Sequence, residues 1–310
     1  MTEEVKRDVK RLSDSVFVDD VGTDGTVAAV GKQTRWDLGG QLDEGTRLVS
    51  APTGIVEYTP AEMTVRVRAG TTVADLDATL AEKGQRCALP DRGGTVGGAV
   101  AVGENHLCAL GRGRLRDSVL QANYVSADGK PIVAGGPTVK NVTGFDLPRL
   151  LVGSLGTLGL IEEVILRTNP IPARSRWLVS ADADPRRVID LLLAPSAMLW
   201  DGTRTWVLLE GHGPDVDAET STLAAAGTFS AAEDPPPLPE HRWSLPPAGL
   251  FALGDTDHRF VAALGLGIAF AAIPQPRREP DPGVVAVAER IKHQFDPTGR
   301  LAPGRVVGAH

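Results

Sequence analysis

The order of strand-like and helix-like segments predicts an α+β protein with more than one domain. The chain has 310 residues, and single hydrophobic cores stop growing at about 250–300 residues, so two domains are expected. Two strand-like stretches, residues 54–58 and 64–68, precede one helix-like stretch, an order typical of α+β proteins. The sequence changes character after Pro170 and Pro172, which marks the expected domain boundary.

The first segments predict a helix and a short buried strand. Val5, Val9 and Leu12 recur at helical spacing near the N-terminus. Residues 27–30, VAAV, are a short apolar run that predicts a buried strand. Residues 31–40 form the loop that follows this strand.

A half-buried strand, a capped helix and a hairpin come next. Valine and arginine alternate in residues 64–68, which is typical of a half-buried strand. Thr71 or Thr72 can cap the helix that follows, because a threonine hydroxyl accepts a hydrogen bond from a free backbone N–H there. Further on, Asp128-Gly129 is a hairpin dipeptide between two strand-like runs.

The segments after the expected boundary predict a second, smaller α+β domain. Residues 177–179 and 205–209 are strand-like, and they lie on either side of a helix near residues 185–193. Residues 234–247 are rich in proline, which lacks the backbone N–H that sheets and helices need. This proline-rich segment is therefore expected to be a loop or linker.

A final helix closes the sequence. Asp281 and Pro282 occupy the positions expected of a helix cap and first turn. The apolar residues that follow recur on one face, as in a helix that packs against a core: Val284, Val287, Ala288, Ile291 and Phe295.

Composition excludes several classes of function. The net charge of −7 and the absence of a long basic run argue against nucleic acid and anionic membranes as partners. No apolar run approaches the roughly 20 residues of a membrane span, and the charged N-terminus lacks the apolar core of a signal peptide. Cys87 and Cys108 have no metal-ligand spacing, so no metal site is predicted. The expected location is the cytoplasm.

The segment with the strongest functional signal is residues 140–161, KNVTGFDLPRLLVGSLGTLGLI. Glycines allow the backbone to turn sharply and to approach a ligand closely. Hydroxyls and free N–H groups in such turns bind phosphates or the polar edge of a cofactor. The residues alone leave two interpretations open, a ligand-binding turn or a Gly-rich connection between a helix and a strand.

Three other segments resolve this ambiguity through a family resemblance: residues 31–35 (GKQTR), residues 93–98 (GGTVGG) and residues 295–305 (FDPTGRLAPGR). Together with residues 140–161, they resemble in order the motifs of FAD-binding oxidoreductases of the vanillyl-alcohol-oxidase or PCMH type. Within that family, the sequence is most similar to the FAD-binding small subunits of bacterial glycolate oxidases.

The resemblance implies a specific domain arrangement. Residues 1–172 are expected to form a two-lobed FAD-binding PCMH-type domain. Residues 173–280, which include the proline-rich segment 234–247, are expected to form a small α+β cap domain. Residues 281–310 are then a C-terminal helix and tail that return to the FAD domain.

The resemblance also implies FAD as the cofactor and a set of residues that contact it. Binding is expected to be noncovalent, because the first loop has no histidine of the kind to which some relatives attach FAD. A strand-to-loop transition with two solvated cations is the alternative for that loop. The implied cofactor-binding residues are Gly31, Lys32, Gln33, Thr34, Arg35, Leu89, Pro90, Asp91, Gly93, Gly94, Thr95, Gly97, Gly98, Val102, Gly103, Asn105, Gly156, Thr157, Gly159 and Ile161.

The groups that would act on a substrate match the family less well. Thr143 corresponds to the family's threonine near the substrate, but Val139 stands where relatives have an arginine for the carboxylate. Lys140 can replace that arginine, whereas Phe145 replaces a tyrosine hydroxyl. The candidates for catalysis are Thr143, Lys140 and His106, and the base is not assigned.

These observations predict an FAD-dependent oxidoreductase, or the FAD-binding subunit of one, related to glycolate oxidase. Its reaction is hydride transfer to FAD from a small 2-hydroxy acid or another alcohol. The partners are a small-molecule substrate and other subunits of a glycolate-oxidase-like complex. The alternative is a non-catalytic flavin-fold subunit that acts as a scaffold or electron-transfer partner. An NAD(P)H-dependent reductase on the same fold is a third possibility, although no segment resembles a nicotinamide site.

Overall fold

The computed structural model describes residues 3–90, 92–136, 146–276 and 281–307, with side chains from residue 6 onward. The chain divides into two compact units. The first unit comprises residues 1–105, 114–170 and 279–310, and the second comprises residues 106–113 and 171–278. Residues 106–113, which we expected in the domain that ends at residue 172, therefore belong to the second unit.

Most helices begin at a residue whose type favours capping. Thr72 accepts a hydrogen bond from the N–H of Asp75 (3.1 Å), which confirms the predicted cap, and Asp281 caps the last helix. The described helices are α1 (Glu3–Ser13), α2 (Val16–Val21), α3 (Val73–Ala81), α4 (Val96–Val102), α5 (Ala109–Arg112), α6 (Leu115–Ser118), α7 (Leu147–Leu151), α8 (Pro185–Leu191), α9 (Gly213–Thr222) and α10 (Pro282–Phe295), with 3₁₀ turns at Pro60–Glu62, Leu223–Ala225 and Pro247–Asp255.

The strands are short and mostly antiparallel. They are β1 (Val27–Ala29), β2 (Arg47–Val49), β3 (Ile55–Thr59), β4 (Thr64–Arg68), β5 (Gln85–Arg86), β6 (Val119–Val125), β7 (Pro131–Gly135), β8 (Leu160–Arg167), β9 (Asn169–Pro170), β10 (Arg174–Ser180), β11 (Ala197–Trp200), β12 (Thr205–Gly211), β13 (Ser230–Ala232), β14 (His241–Ser244), β15 (Phe260–Ala263) and β16 (Ile268–Ala271). The predicted hairpin is present as β6 and β7.

The described residues of the first unit form one five-stranded antiparallel sheet and two small strand pairs. The order in the large sheet is β3-β4-β8-β6-β7, so β8 is the central strand. The parallel pair β1-β2 and the antiparallel pair β5-β9 lie outside it. This arrangement places the loop after β1 and the turn before β8 in one unit.

One face of the large sheet carries the main hydrophobic core of the first unit. Val65 and Val67 of β4 are fully buried there. They pack in one cluster with Leu76 and Leu80 of α3 and with Val100 of α4. Burial of such side chains contributes about 1.5–3 kcal/mol each, which fixes both helices against the sheet.

The other alternating residue of β4 is buried as well, within a cluster of charged and amide side chains. Arg66 is 7% exposed, although alternation with valine predicts a solvent-facing side chain. Its Nη1 donates to Asp8 of α1 (2.8 Å) and to Glu163 of β8 (3.1 Å). We call this cluster the sheet-face network: Asp8, Arg11, Arg66, Gln121, Asn123 and Glu163.

The C-terminal segment is bonded into the first unit at several points. Lys292 of α10 donates to the carbonyl oxygen of Thr157 (2.9 Å), and Leu301 forms a parallel bridge with Val27 of β1. Within the described ranges, the guanidinium of Arg300 donates to backbone carbonyl oxygens alone, those of Val21, Gly22, Asp24, Gly25 and Ala127.

The described part of the second unit is built on a seven-stranded sheet with the order β13-β10-β12-β11-β15-β16-β14. The predicted helix near residues 185–193 is α8. The expectation of a loop or linker at residues 234–247 is wrong in part, because β14 (His241–Ser244) lies within it and pairs with β16. The prolines flank this strand and leave its own N–H groups free to bond.

No helix within the described ranges combines the length and apolar composition needed to cross a membrane. The described residues also contain no cluster of three His, Cys, Asp or Glu side chains arranged to hold a metal ion.

Candidate cofactor site

A pocket in the first unit is lined by three stretches that are far apart in sequence, together with Ala51, Ala69 and Gly70. The first is the loop after β1, up to Trp36, and the second is α4 with the two residues before it. The third is the turn that leads into β8. Arg305 of the C-terminal tail contributes a fourth contact.

The first loop takes an unusual backbone conformation at Gln33. Its φ angle is +56°, in the left-handed region that L-residues avoid. In the resembled family the corresponding position is usually glycine, a residue that takes such an angle at little cost. Non-glycine residues with such angles cluster at ligand sites, because the surrounding structure must compensate for the strain.

The first and second stretches approach each other too closely for larger side chains. A Cβ atom on Gly31 would lie 2.6 Å from Oγ1 of Thr95. The same Oγ1 accepts a hydrogen bond from the N–H of Gly98 (3.2 Å) and so caps α4. A Cβ atom on Gly97 would lie 2.6 Å from Cβ of Ala69. The glycines in these loops therefore bring backbone, rather than side chains, to the pocket wall.

The third stretch is held against α4 by backbone hydrogen bonds. The N–H of Leu155 donates to the carbonyl oxygen of Ala101 (2.8 Å). Leu155 has a φ angle of +54°, so a second strained non-glycine residue lines the pocket. Thr157 closes the turn by donating from Oγ1 to the carbonyl oxygen of Ser154 (2.7 Å).

A buried carboxylate fixes one arginine at the pocket. Nε of Arg35 donates to Glu104 (2.8 Å), and Nη1 of Arg92 donates to the other oxygen of Glu104 (2.6 Å). Burial raises the pKa of Glu104, but the hydrogen bond from Arg35 and the charge of Arg92 outweigh it, so the pKa lies below its usual value. The carboxylate is therefore ionised at neutral pH, and the three groups together carry a net positive charge.

Arg35 also has a donor with no acceptor. Its Nη1 donates to Oγ1 of Thr34 (3.3 Å), whereas its Nη2 is buried and has no partner among the described residues. Buried donors in proteins nearly always have acceptors, so an unpaired one at a pocket wall indicates a ligand.

Arg305 repeats this pattern. Its guanidinium lies over the ring of Trp36, 4.5 Å from the centroid, and its Nη2 donates to the carbonyl oxygen of Trp36 (3.3 Å). The Nε of Arg305 is buried and has no partner among the described residues. Two arginines on one pocket thus have unpaired N–H groups.

Thirteen of the residues implied by the resemblance line this single pocket. They are Gly31, Lys32, Gln33, Thr34, Arg35, Gly94, Thr95, Gly97, Gly98, Val102, Gly156, Gly159 and Ile161. No acidic side chain, histidine or cysteine is among the described residues that line it.

The other implied residues lie elsewhere or outside the described residues. Asp91, Lys140 and Thr143 are outside them. Of the remaining ones, Leu89 and Pro90 are buried and Gly103 packs against Gly153. The side chain of Asn105 accepts a hydrogen bond from the N–H of Leu115. Gly93 lies next to the lining residue Thr34, and Thr157 follows the lining residue Gly156 in sequence. For these residues a cofactor contact stays a prediction. His106 belongs to the second unit, where its Nδ1 accepts from the N–H of Cys108 (2.9 Å).

Three polar or aromatic residues at or behind the pocket wall were not identified from sequence: Trp36, Glu104 and Arg305. Arg305 ends the motif FDPTGRLAPGR, so the signal was present in the C-terminal resemblance. Glu104 and Trp36 lie outside the motifs that carry the resemblance, and their roles depend on contacts with residues distant in sequence.

The sequence is similar to several known proteins. Residues 22–135 match the sequence profile of the family described as FAD binding domain. The chain is 32% identical over 212 residues to glycolate oxidase subunit GlcE of Escherichia coli, which covers 64% of this chain and 61% of that protein. It is 40% identical over 106 residues to D-lactate dehydrogenase of Archaeoglobus fulgidus, which covers 33% of this chain and 24% of that protein. Each match thus spans less than two thirds of the relative's length.

Solved structures show the fold. A structure of alkyldihydroxyacetonephosphate synthase aligns with a TM-score of 0.67 over 96% of this chain and 74% of that chain, at 14% identity. A second structure of that protein aligns with a TM-score of 0.64. Residues 22–135 are therefore an FAD-binding domain, the chain has the PCMH-type FAD-binding fold, and FAD is its cofactor.

Proposed function

We propose that the chain is an FAD-dependent oxidoreductase, or the FAD-binding subunit of one, that holds FAD noncovalently in the pocket of the first unit. The observation that carries the proposal is the convergence of three Gly-rich stretches on one pocket with unpaired arginine donors. Bound FAD would supply hydride acceptance, and the protein's part is to bind and orient it.

The residues of the pocket fit FAD in shape and in charge. The first loop and the N–H groups before α4 offer backbone donors, which bind diphosphates without bulky side chains. Lys32 and Arg35 add positive charge to the same wall. The lining also includes apolar surface from Val102, Leu155 and Ile161, which suits a flavin ring.

Noncovalent binding is supported by the chemistry of the wall. Covalent attachment requires a nucleophilic side chain such as histidine or cysteine. The described lining residues include neither type. Precipitation of the protein with acid is therefore expected to release all of the flavin into the supernatant.

The proposed substrate is a small 2-hydroxy acid or another alcohol. Glycolate and lactate, which appear in the names of the similar proteins, are both 2-hydroxy acids. Thr143 and Lys140 are proposed to contact the substrate, on the family resemblance alone. The similar protein from Escherichia coli is named as a subunit, which supports a complex with other subunits.

Two measurements on purified protein test the proposal. The protein should be yellow with a flavin absorbance spectrum, and anaerobic addition of a panel of 2-hydroxy acids should bleach that spectrum. Colourless protein without affinity for added FAD would contradict the cofactor site. Bound FAD that no 2-hydroxy acid or alcohol reduces would instead favour the scaffold or electron-transfer role.

A further inference from the structure

The C-terminal tail reaches the cofactor pocket through backbone pairing with the first loop region. The N–H of Ala302 donates to the carbonyl oxygen of Val27 (2.8 Å). The N–H of Val306 donates to the carbonyl oxygen of Gly39 (2.7 Å). These bonds lie on either side of Arg305 in sequence. The position of its side chain at the pocket is therefore set by the backbone of the first unit.

The guanidinium of Arg305 is fixed in orientation but not satisfied in hydrogen bonding. Stacking on Trp36 covers one face of the group, and the bond from Nη2 to the carbonyl oxygen of Trp36 fixes its rotation. Nε stays buried without an acceptor among the described residues. No described carboxylate forms an ion pair with Arg305.

The charge of the pocket wall indicates what completes this arginine. Its described lining carries three cations, Lys32, Arg35 and Arg305, and no acidic side chain. Trp36 directly follows Arg35 in the loop that also carries Lys32. The natural acceptor at this end of the pocket is therefore an anionic oxygen and not a neutral ring carbonyl.

We propose that Arg305 donates its buried Nε–H to a phosphate oxygen of the dinucleotide's diphosphate, with Trp36 as the platform that holds it. The inference rests on the proposed binding of FAD in this pocket. It makes the C-terminal tail part of the cofactor site and assigns it to the diphosphate instead of the flavin ring.

Ligands that contain only part of FAD separate this role from a structural one. ADP carries the diphosphate without the flavin, and riboflavin carries the ring without any phosphate. Binding of FAD, ADP and riboflavin to apoprotein is measured by calorimetry and by quenching of flavin fluorescence. The variants are Arg305→Met, Arg305→Lys and, as a matched control, Arg204→Met in an exposed turn of the second unit.

Arg305→Met should weaken binding of FAD and ADP by about 10- to 100-fold, the loss of one hydrogen bond to a charged group. Riboflavin binding should change by less than about twofold. Arg305→Lys keeps the charge but not the stacked planar group, so its losses for FAD and ADP should be smaller. Arg204→Met should bind all three ligands as the unchanged protein does.

Three outcomes overturn the inference. Unchanged FAD and ADP affinities in Arg305→Met would exclude the phosphate contact, and an equal loss for riboflavin would show that Arg305 only supports the fold. If Arg305→Met does not fold, Arg305→Lys with losses equal for ADP and riboflavin overturns the inference as well. Failure of the unchanged protein to bind FAD would contradict the proposed function itself.

Discussion

Arginines in two regions of the first unit find their hydrogen-bond acceptors in different ways, and the difference separates folding from function. In the sheet-face network, Arg66 lies between Asp8 and Glu163, and amide side chains bond the same carboxylates. At the cofactor pocket, Arg35 and Arg305 both donate to protein partners, but each keeps one buried donor without a partner among the described residues. The residue type is the same, but the network supplies acceptors for Arg66, whereas one buried donor of each pocket arginine has none among the described residues.

This contrast follows from the cost of burying charge. A buried charge is tolerated when hydrogen-bonded partners replace the water that it lost. The network meets this condition within the chain, so its arginine stabilises the fold. The pocket meets it only in part, which leaves interaction energy available for an anionic ligand.

The largest effect is expected for Arg66→Met. The change removes the buried guanidinium between Asp8 and Glu163 and leaves these carboxylates only the more exposed Arg11 as a cationic partner among the described residues. Removal of one partner from a buried charge pair costs about 3–5 kcal/mol, so the free energy of unfolding in urea should fall by about that amount. The FAD affinity of the folded fraction should not change.

Arg68→Met is the matched control for that experiment. Arg68 lies two residues further along β4, and its side chain is exposed. Its replacement should change the free energy of unfolding by less than about 0.5 kcal/mol. Equal losses in the two variants would contradict a special role for the sheet-face network.

Arg35→Met should lower the affinity for FAD more than it lowers the stability of the fold, which is the opposite of the result expected for Arg66→Met. Loss of the unpaired donor and of its charge should weaken FAD binding by about 10- to 100-fold, as measured by flavin fluorescence. Stability should fall less than in Arg66→Met, because Arg92 still donates to Glu104. If the FAD affinity stays the same while the free energy of unfolding falls as much as in Arg66→Met, Arg35 stabilises the fold and does not bind FAD.

The pH dependence of stability should reveal Asp8. Burial raises the pKa of Asp8, but hydrogen bonds from Arg66 and Gln121 together with the charges of Arg66 and Arg11 outweigh it and lower the pKa below its usual value. A lowered pKa stabilises the fold above the unfolded-state value of about 3.9, and this contribution is lost as pH falls through the folded-state pKa.

Asp8→Asn should therefore be less stable by about 1–2 kcal/mol at pH 7 and nearly equal to the unchanged protein in strong acid. Urea unfolding from pH 7 down to pH 3 measures the difference. A gap that stays constant over this range would show that the charge of Asp8 is not what stabilises the helix α1.

The smallest effect is expected at Gln33. Glycine takes a positive φ angle at little cost, so Gln33→Gly should raise the free energy of unfolding by up to about 1 kcal/mol and keep FAD binding. The β-branched Gln33→Val should lower it by roughly 1–2 kcal/mol. Thermal unfolding of the apoprotein tests this order, and a Val variant as stable as the Gly variant would contradict the strain.

Local patterns in the sequence predict local structure well here. The strand Thr64–Arg68 and the cap at Thr72 depend on neighbouring residues only, and the structure confirms both. The family resemblance likewise named thirteen of the residues that line the pocket, and close backbone approach explains why many of them are glycine.

The features that sequence did not predict depend on distant residues. The burial of Arg66 follows from contacts with Asp8 and Glu163, 58 and 97 residues away. The pairing of Arg305 with Trp36 spans 269 residues. Alternation along β4 describes only the pleat of that strand, so it cannot indicate that α1 contributes a carboxylate on the opposite face.

The pairing of the tail with the first loop also has a consequence for biosynthesis. At translation rates of about 5–20 residues per second, roughly 15–50 s separate the synthesis of Trp36 from that of Arg305. During that interval the nascent chain has the Gly-rich loops but not the arginine that comes from the other end. The first unit must wait for the inserted second unit to be made before its edge at β1 can close. The proposed contact between Arg305 and the cofactor can therefore form only after residue 305 has been synthesised.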